Sequence, residues 1–258
     1  MAEKMPVKIT GVVMTYNEEE RILDCLTSIK YVTDEIVVVD SFSSDGTEAI
    51  CKEFGVKFIR HKFEGYIEQR QYVISHATND YVLVLDADEI LSTDLVTEIN
   101  TIRNNWKYDA YLFSRLTNYE GKWIRHCGWY PDKKARLFDR NKITVKGNNP
   151  HDEITVKDGF KTKWIKKDIL HYSFYSIGDH ISKTNKFSTI AARADFENGK
   201  KVVFMYHIML KPIYQFLNEY FRKLGILDGY YGFIICIISS FGKFLKYAKL
   251  RQLYKDNK

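Results

Sequence analysis

Four short runs near the start of the chain are apolar at almost every position: Lys8–Met14 (KITGVVM), Glu35–Val39 (EIVVV), Val56–Ile59 and Val82–Leu85. Between them lie stretches with helical spacing. Glu19 to Ile29 puts Ile22, Cys25, Leu26 and Ile29 on one face, and helices follow near Glu48–Phe54 and near Ile67–His76. A strand that is apolar on both sides is buried on both sides. Strands of this kind alternating with amphipathic helices predict a parallel sheet covered on each face. Such sheets bind ligands beyond the carboxyl ends of their strands. Three of those ends carry polar clusters here, Thr15–Glu18, Asp40–Asp45 and Asp86–Glu89.

The last cluster is the most demanding. In VLVLDADEIL a core strand runs into Asp86, Asp88 and Glu89, and carboxylates so crowded repel one another unless positive charge stands among them. Residues two apart on a strand end project to the same side, so Asp86 and Asp88 share a face across the small Ala87. That pairing suits a hard divalent cation, Mg²⁺ or Mn²⁺, whose shell is completed by substrate phosphates. A metal with a nucleoside diphosphate supplies the positive centre on this reading. Met14-Thr15-Tyr16-Asn17 stands where a dinucleotide fold would have GxGxxG, and there is no GxxxxGK[ST]. Phosphate charge must therefore be met by metal and side chains.

Beyond about residue 105 the pattern changes. Trp106 to Phe174 is rich in aromatics, His, Lys and Arg, with strand-like pieces at Ala110–Leu116 and Lys163–Leu170. It reads as a second half completing one site. Ile177 to Ala194 is predicted helical. From Lys200 onward there are 11 Lys/Arg against 3 acids, in a chain whose net charge is +6. The first 199 residues are therefore close to neutral. In this tail Ile213, Phe216, Leu217, Tyr220, Phe221 and Leu224 form one apolar stripe at helical spacing. Lys243, Lys246, Lys249 and Arg251 then interleave with Phe244, Leu245, Tyr247 and Leu250. A basic amphipathic helix suits an anionic membrane face, and packing on the body is the rival expectation. The longest apolar run, Gly232–Phe241, is about half of the roughly 20 residues that span a bilayer, so no spanning helix is expected, nor a signal peptide. Cys25, Cys51, Cys127 and Cys236 show no metal or disulfide spacing and are expected as reduced thiols in a cytoplasmic protein. Nothing is laid out for nucleic acid.

The runs TYNEEERILDCLTSI, DEIVVVDSFSSDGT and DYVLVLDADE, in this order, resemble glycosyltransferase family 2, whose members are inverting enzymes of the GT-A fold. The pieces EQRQYVISHAT, GWYPDKKARLF, NNPHDEI, ILHYSF and GILDGYYGF are similar to one branch, the lipopolysaccharide-core glycosyltransferases that include a beta-1,4-glucosyltransferase. The similarity runs from Val7 to about Leu250. It implies an α/β, Rossmann-like, mostly parallel sheet flanked by helices over residues 1–199, with a nucleotide-binding half (1–104) and an acceptor half (105–199). An amphipathic helical extension follows over 200–258.

The resemblance also implies roles at matching positions. Thr15, Asn17 and Glu18 line the nucleotide pocket, and Asp40 meets the base, commonly uracil. Arg70 reaches the diphosphate or donor sugar. Asp86 and Asp88 are the DxD pair, Asp88 the direct metal ligand, with His171 a further metal or diphosphate contact. Ser41 and Gln71 depart from the Asp and Asn that many relatives carry there. Asp152 of Pro150-His151-Asp152-Glu153 is the expected general base, and Glu153 takes its place if the register shifts by one. Trp129, Tyr130, Arg136 and His126 are candidate acceptor contacts. The implied partners are a UDP-sugar and a lipid-linked or lipopolysaccharide-type glycan, met at the inner face of a bacterial inner membrane through the basic tail. Homo-oligomer formation is left open. A nucleotidyltransferase on a similar sheet, or a glycan-binding protein without turnover, are the alternatives.

Overall fold

The computed structural model describes residues 5–148 and 151–257, without the side chains of Asn148, His151 and Asp152. By packing, the chain divides into two compact units, Met1–Arg115 with Asp132–His171, and Leu116–Pro131 with Tyr172–Lys258. The boundary expected at residue 199 falls inside the second of these.

The first unit opens with the alternation expected. β1 (Ile9–Thr15), α1 (Ile22–Lys30), β2 (Glu35–Asp40), α2 (Thr47–Phe54), β3 (Lys57–Arg60), α3 (Tyr66–Ser75) and β4 (Tyr81–Asp86) follow in order. Then come β5 (Glu89–Leu91), α4 (Thr93–Asn104), β6 (Ala110–Tyr119), β7 (Lys122–Ile124), β8 (Asp132–Asp139), the hairpin β9 (Ile143–Asn148) and β10 (His151–Val156), and β11 (Thr162–Phe174). The main sheet has the order β3-β2-β1-β4-β8-β6-β11-β5, with β7 paired to β6. The four strands β3, β2, β1 and β4 are parallel, and the β4–β8, β8–β6 and β5–β11 pairings are antiparallel.

Burial explains the continuous apolar runs. Ile9, Val13, Leu83 and Leu85 pack on one face with Ile22, Leu26 and Ile29 of α1 and Leu95 and Ile99 of α4. Val12, Val37, Val82 and Val84 pack on the other with Val73 and Ile74 of α3 and with Phe138. Each large side chain so buried contributes about 1.5–3 kcal/mol. Parallel register sets Thr15 opposite Asp40 and Met14 opposite Asp86, so the three polar clusters end level at one edge of the sheet.

The second unit holds the ends of β6 and β11, β7, and the helices α5 (Ile177–Glu197), α6 (Lys211–Leu217) and α7 (Gly229–Asp256). Its core joins Tyr119, Ile124, Cys127, Ile235 and Cys236, with Trp129, Phe174, Phe216 and Tyr220 against them. The GILDGYYG run is a close crossing of backbone. A Cβ on Gly232 would lie 1.9 Å from the carbonyl oxygen of Gly225, so position 232 admits only hydrogen. All four cysteines are free and buried.

Two tail expectations change. The single stripe of residues 213–224 divides, because α6 is flanked by π-helical turns at Phe204–Leu210 and Asn218–Arg222. Phe216 and Tyr220 turn inward, while Ile213, Leu217, Phe221 and Leu224 are exposed. Two lysines of α7 also turn inward: Lys246 pairs with Asp195 at 2.9 Å, and Lys249 binds Asn185, Ser188 and Thr189 on α5. Among the described residues one helix, Gly225–Asp256, is long and apolar enough to cross a membrane by length and composition alone, with 33% of its most apolar stretch buried inside the protein. The apolar run Gly232–Phe241 continues helically past Gly242 and Lys243, which gives the length that the run alone lacks.

Candidate nucleotide and metal site

The loops after β1 and β2 are stitched to each other. Asn17 takes a left-handed backbone (φ 53°), which asparagine tolerates better than most residues. Its N–H donates to Ser43 Oγ at 2.8 Å, and its side-chain oxygen accepts from the Ser44 N–H at 2.8 Å. Asp40, wholly buried, accepts from the Ser43 N–H at 2.9 Å and from the Ser43 hydroxyl. The Glu18 N–H donates to Thr47 Oγ1 at 2.9 Å, and the Glu19 carboxylate accepts from the Gly46 N–H at 2.7 Å. Asp45 accepts from Thr47 Oγ1 and N–H and from the Glu19 N–H. Burial pushes the Asp45 carboxyl up, but these hydrogen bonds outweigh it and hold its pKa below the ordinary value. Thr15, buried at the end of β1, has its hydroxyl oxygen without a hydrogen-bond partner.

The crowded carboxylates find their counter-charge in arginines. Asp86 Oδ1 accepts from Arg70 Nη2 at 3.1 Å, and Oδ2 accepts from Arg136 Nη2 at 2.8 Å. Glu89, wholly buried, accepts from the same Arg136 nitrogen at 2.6 Å and from Arg115 Nη1 at 3.4 Å. Its other oxygen accepts from the Asp86 N–H at 3.1 Å. Arg115 also grips Asp132 at 2.7 Å. Burial alone would raise the Asp86 pKa, but Arg70, Arg136 and Arg115 together hold it far below the usual carboxylate range. A metal is therefore not needed to explain how Asp86 and Glu89 coexist, contrary to the expectation drawn from VLVLDADEIL.

Asp88 stands apart. Its Oδ2 lies 3.2 Å from His171 Nε2, on β11 beside β5. One carboxylate and one imidazole fit Mn²⁺ chemistry, and Mg²⁺ less well. Among the described residues no group of three or more His, Cys, Asp or Glu side chains is placed to hold a metal. A cation on Asp88 and His171 must draw its remaining ligands from water or phosphate oxygens, as such ions commonly do.

Other expected residues divide between the units. Arg136 is in the first unit, buried against Asp86 and Glu89. His126, Trp129 and Tyr130 are in the second. His126 Nδ1 lies 3.0 Å from Asp228, Trp129 packs among Tyr119, Phe174 and His180, and the Arg125 guanidinium sits 5.3 Å from the Tyr130 ring centre. Asp152 pairs by backbone with Gly147 in the β9–β10 hairpin, and its side chain lies outside the described part of the structure. Glu153, opposite Lys146, is exposed.

Sequence reasoning missed Gln69, Arg115 and the hub role of Glu89. Gln69 is buried and donates to Ser41 Oγ at 3.1 Å while its oxygen meets His61 Nδ1 at 2.8 Å. Arg115 did carry a signal: an arginine inside a largely apolar strand, in Phe113-Ser114-Arg115-Leu116, withdraws from water only when paired.

Residues 11–169 match the family description "Glycosyl transferase family 2". The chain belongs to glycosyl transferase family 2. Along its length it is similar to the uncharacterized glycosyltransferase RT0209 of Rickettsia typhi, 33% identical over 256 residues that cover 95% of this chain and 87% of that one. It is also similar to the lipopolysaccharide core biosynthesis glycosyltransferase LpsC of Rhizobium meliloti, 27% identical over 98% of this chain and 94% of that one. The fold is GT-A. A solved structure of the mannosyltransferase PcManGT from Pyrobaculum calidifontis, in complex with GDP-Man and Mn²⁺, superposes with a TM-score of 0.55, at 14% identity over 96% of this chain and 89% of that one. Family membership sets the nucleotidyltransferase alternative aside: this is a glycosyltransferase.

Proposed function

We propose that this family 2 glycosyltransferase transfers a hexose, glucose, from a UDP-sugar to a membrane-linked glycan of the lipopolysaccharide-core type, with inversion at the anomeric carbon and with a divalent metal. The carrying observation is the strand-end arrangement in which Asp86 is held by Arg70 and Arg136 while Asp88 meets His171. The GDP-Man and Mn²⁺ held by PcManGT support a nucleotide-sugar and metal site on this fold, and the relation to LpsC supports the acceptor class. The implied place of work is the cytoplasmic face of a bacterial inner membrane, where lipid-borne acceptors lie.

Within this reading Thr15, Asn17, Glu18 and Asp40 receive the nucleoside. Asp88 and His171 hold the metal, which when bound offsets charge on the departing diphosphate. Arg70 and Arg136, fixed by Asp86 and Glu89, present cationic edges to the same phosphates without reorganising during the reaction. Asp152, or Glu153 beside it, takes the proton from the acceptor hydroxyl as its oxygen bonds to the anomeric carbon and the bond from that carbon to the diphosphate oxygen breaks. His126, Trp129 and Tyr130 are assigned to the acceptor.

The test is donor hydrolysis and binding across UDP-, GDP- and CMP-sugars, with Mn²⁺ and with EDTA, on wild type and Asp88→Ala. One UDP-sugar should be turned over with metal and not with EDTA, and Asp88→Ala should lower kcat by about a thousandfold or more without altering the thermal melt. Metal-independent turnover refutes the role of Asp88. A preference for a GDP-sugar replaces the donor. Asp152→Asn and Glu153→Gln, compared under the same conditions, name the base.

A further inference from the structure

Most of the exposed large apolar side chains among the described residues fall between Val203 and Phe244, all in the second unit. They include Phe204, Met209, Ile213, Leu217, Phe221 and Leu227, from the π-helical turns, from α6 and from the approach to α7. Large exposed apolar areas are rare on soluble monomers and mark surfaces that meet a partner or a membrane. We propose that this face, formed by residues 203–241, docks onto an anionic phospholipid bilayer and lies in its interface without crossing it.

Charge selects the occupant. Between residues 200 and 245 the acids are Glu219 and Asp228, and both are buried. Glu219 is held by Gln215, and Asp228 by the N–H groups and ring of the 125–126 turn. The charged groups left exposed there are cations, including Lys201, Arg222 and Lys223. A second copy of the chain would bring the same cations to the same face. A bilayer of anionic headgroups over hydrocarbon meets both the exposed apolar side chains and the charge. Exposed Tyr206, Tyr214 and Tyr230 add rings of the kind that settle at headgroup depth.

The same geometry relocates the contact expected of the basic C-terminal stretch. Of the four cations expected to face lipid, Lys243, Lys246, Lys249 and Arg251, two, Lys246 and Lys249, are spent on α5. It also argues against a crossing. Ile235 and Cys236 are buried in the unit's own core, Tyr247 and Leu250 pack with Ala192 of α5, and Ser240 donates to the Pro212 carbonyl at 2.7 Å. Transverse insertion of α7 would break all of these contacts. The lipid-linked acceptor proposed above gives this docking a purpose, but the docking stands or falls by itself.

The test is co-sedimentation of the full chain with phosphatidylcholine vesicles, with and without phosphatidylglycerol. Wild type should bind the anionic vesicles, resist a salt wash in part, and be released at alkaline carbonate pH. The double variant Leu217→Glu/Phe221→Glu, changed at exposed positions and checked by thermal melt, should bind about tenfold or more weakly, with nucleotide-sugar binding unchanged. Binding by that variant equal to wild type overturns the proposal, as does resistance to carbonate, which means a spanning helix. A wild-type dimer that ignores vesicles and becomes monomeric on the double substitution also overturns it, in favour of a second copy. Loss of donor turnover with vesicle binding intact would sink the transferase reading and leave this one standing.

Discussion

The two units treat charge in opposite ways. In the first, Asp86, Glu89 and Asp132 are drawn together at strand ends and each is answered by arginine, around a wholly buried Glu89. In the second, two buried titratable groups, Glu219 and His180, have neutral hydrogen-bond partners, Gln215 and Tyr119. His180 sits among Tyr119, Trp129 and Phe174 with its Nδ1 3.1 Å from the Tyr119 hydroxyl, and burial lowers its pKa to about 4. Apolar groups meanwhile stand in water. A site built for a charged ligand must keep its own charges fixed and dry. A surface built for lipid can shed charge from its interior and show hydrocarbon outside.

The comparison breaks most severely at Glu89. Glu89→Gln keeps the shape and removes the charge, leaving Arg136 and Arg115 with one carboxylate fewer in a buried place. A loss of about 3–5 kcal/mol in unfolding free energy is expected, read from urea melts. If the loss stays under about 1 kcal/mol, the arginines find other partners and the hub is not structural. The conservative Glu89→Asp should recover part of the stability but not the reach to both arginines.

How much of this was written in the sequence differs between the units for the same reason. The parallel half was legible because burial on two faces leaves continuous apolar runs, and strand ends leave polar clusters; β1, β2 and β4 lie where those runs lie. The pairing of Asp86 with Arg70 and Arg136 was not legible, because Arg136 lies 50 residues on in the sequence and reaches Asp86 only through the antiparallel β4–β8 pairing. Periodicity finds the stripe at 213–224 but does not say which side turns in. That was decided by π-helical turns, which no spacing rule predicts. The sequence offers Lys249 to an anionic membrane face, because composition records charge and not the oxygens of α5 that receive it.

Acid sharpens the contrast next. His180 has a native pKa of about 4, below its ordinary 6.5. The unfolded chain therefore binds a proton that the native one refuses, and stability falls as pH drops from about 6.5 to 4, by about 3 kcal/mol in all, flattening below. Asp86 has its pKa lowered from the carboxylate range. Its contribution is present at neutral pH and is lost only as pH falls through the far lower native value. Mild acid should therefore loosen the second unit first. Amide exchange at pH 5 should quicken in α5 before β4, and His180→Gln should remove most of the slope between pH 6.5 and 4. Equal loosening in both units would mean that the Asp86 cluster is weaker than its arginines suggest.

The smallest effect separates two readings of a single lysine. Lys249 Nζ lies within 2.7–2.8 Å of Asn185 O, Asn185 Oδ1, Ser188 Oγ and Thr189 Oγ1. Lys249→Met keeps the apolar stem and deletes the donors, which should cost about 1 kcal/mol of stability and leave binding to anionic vesicles within about twofold. A lysine working at a lipid surface behaves the other way. Its loss costs about 1 kcal/mol of membrane affinity, a fivefold drop or so, and leaves the melt untouched. Because the two outcomes exchange places, a thermal melt and a sedimentation assay on one variant decide whether α7 spends its charge on α5 or on lipid.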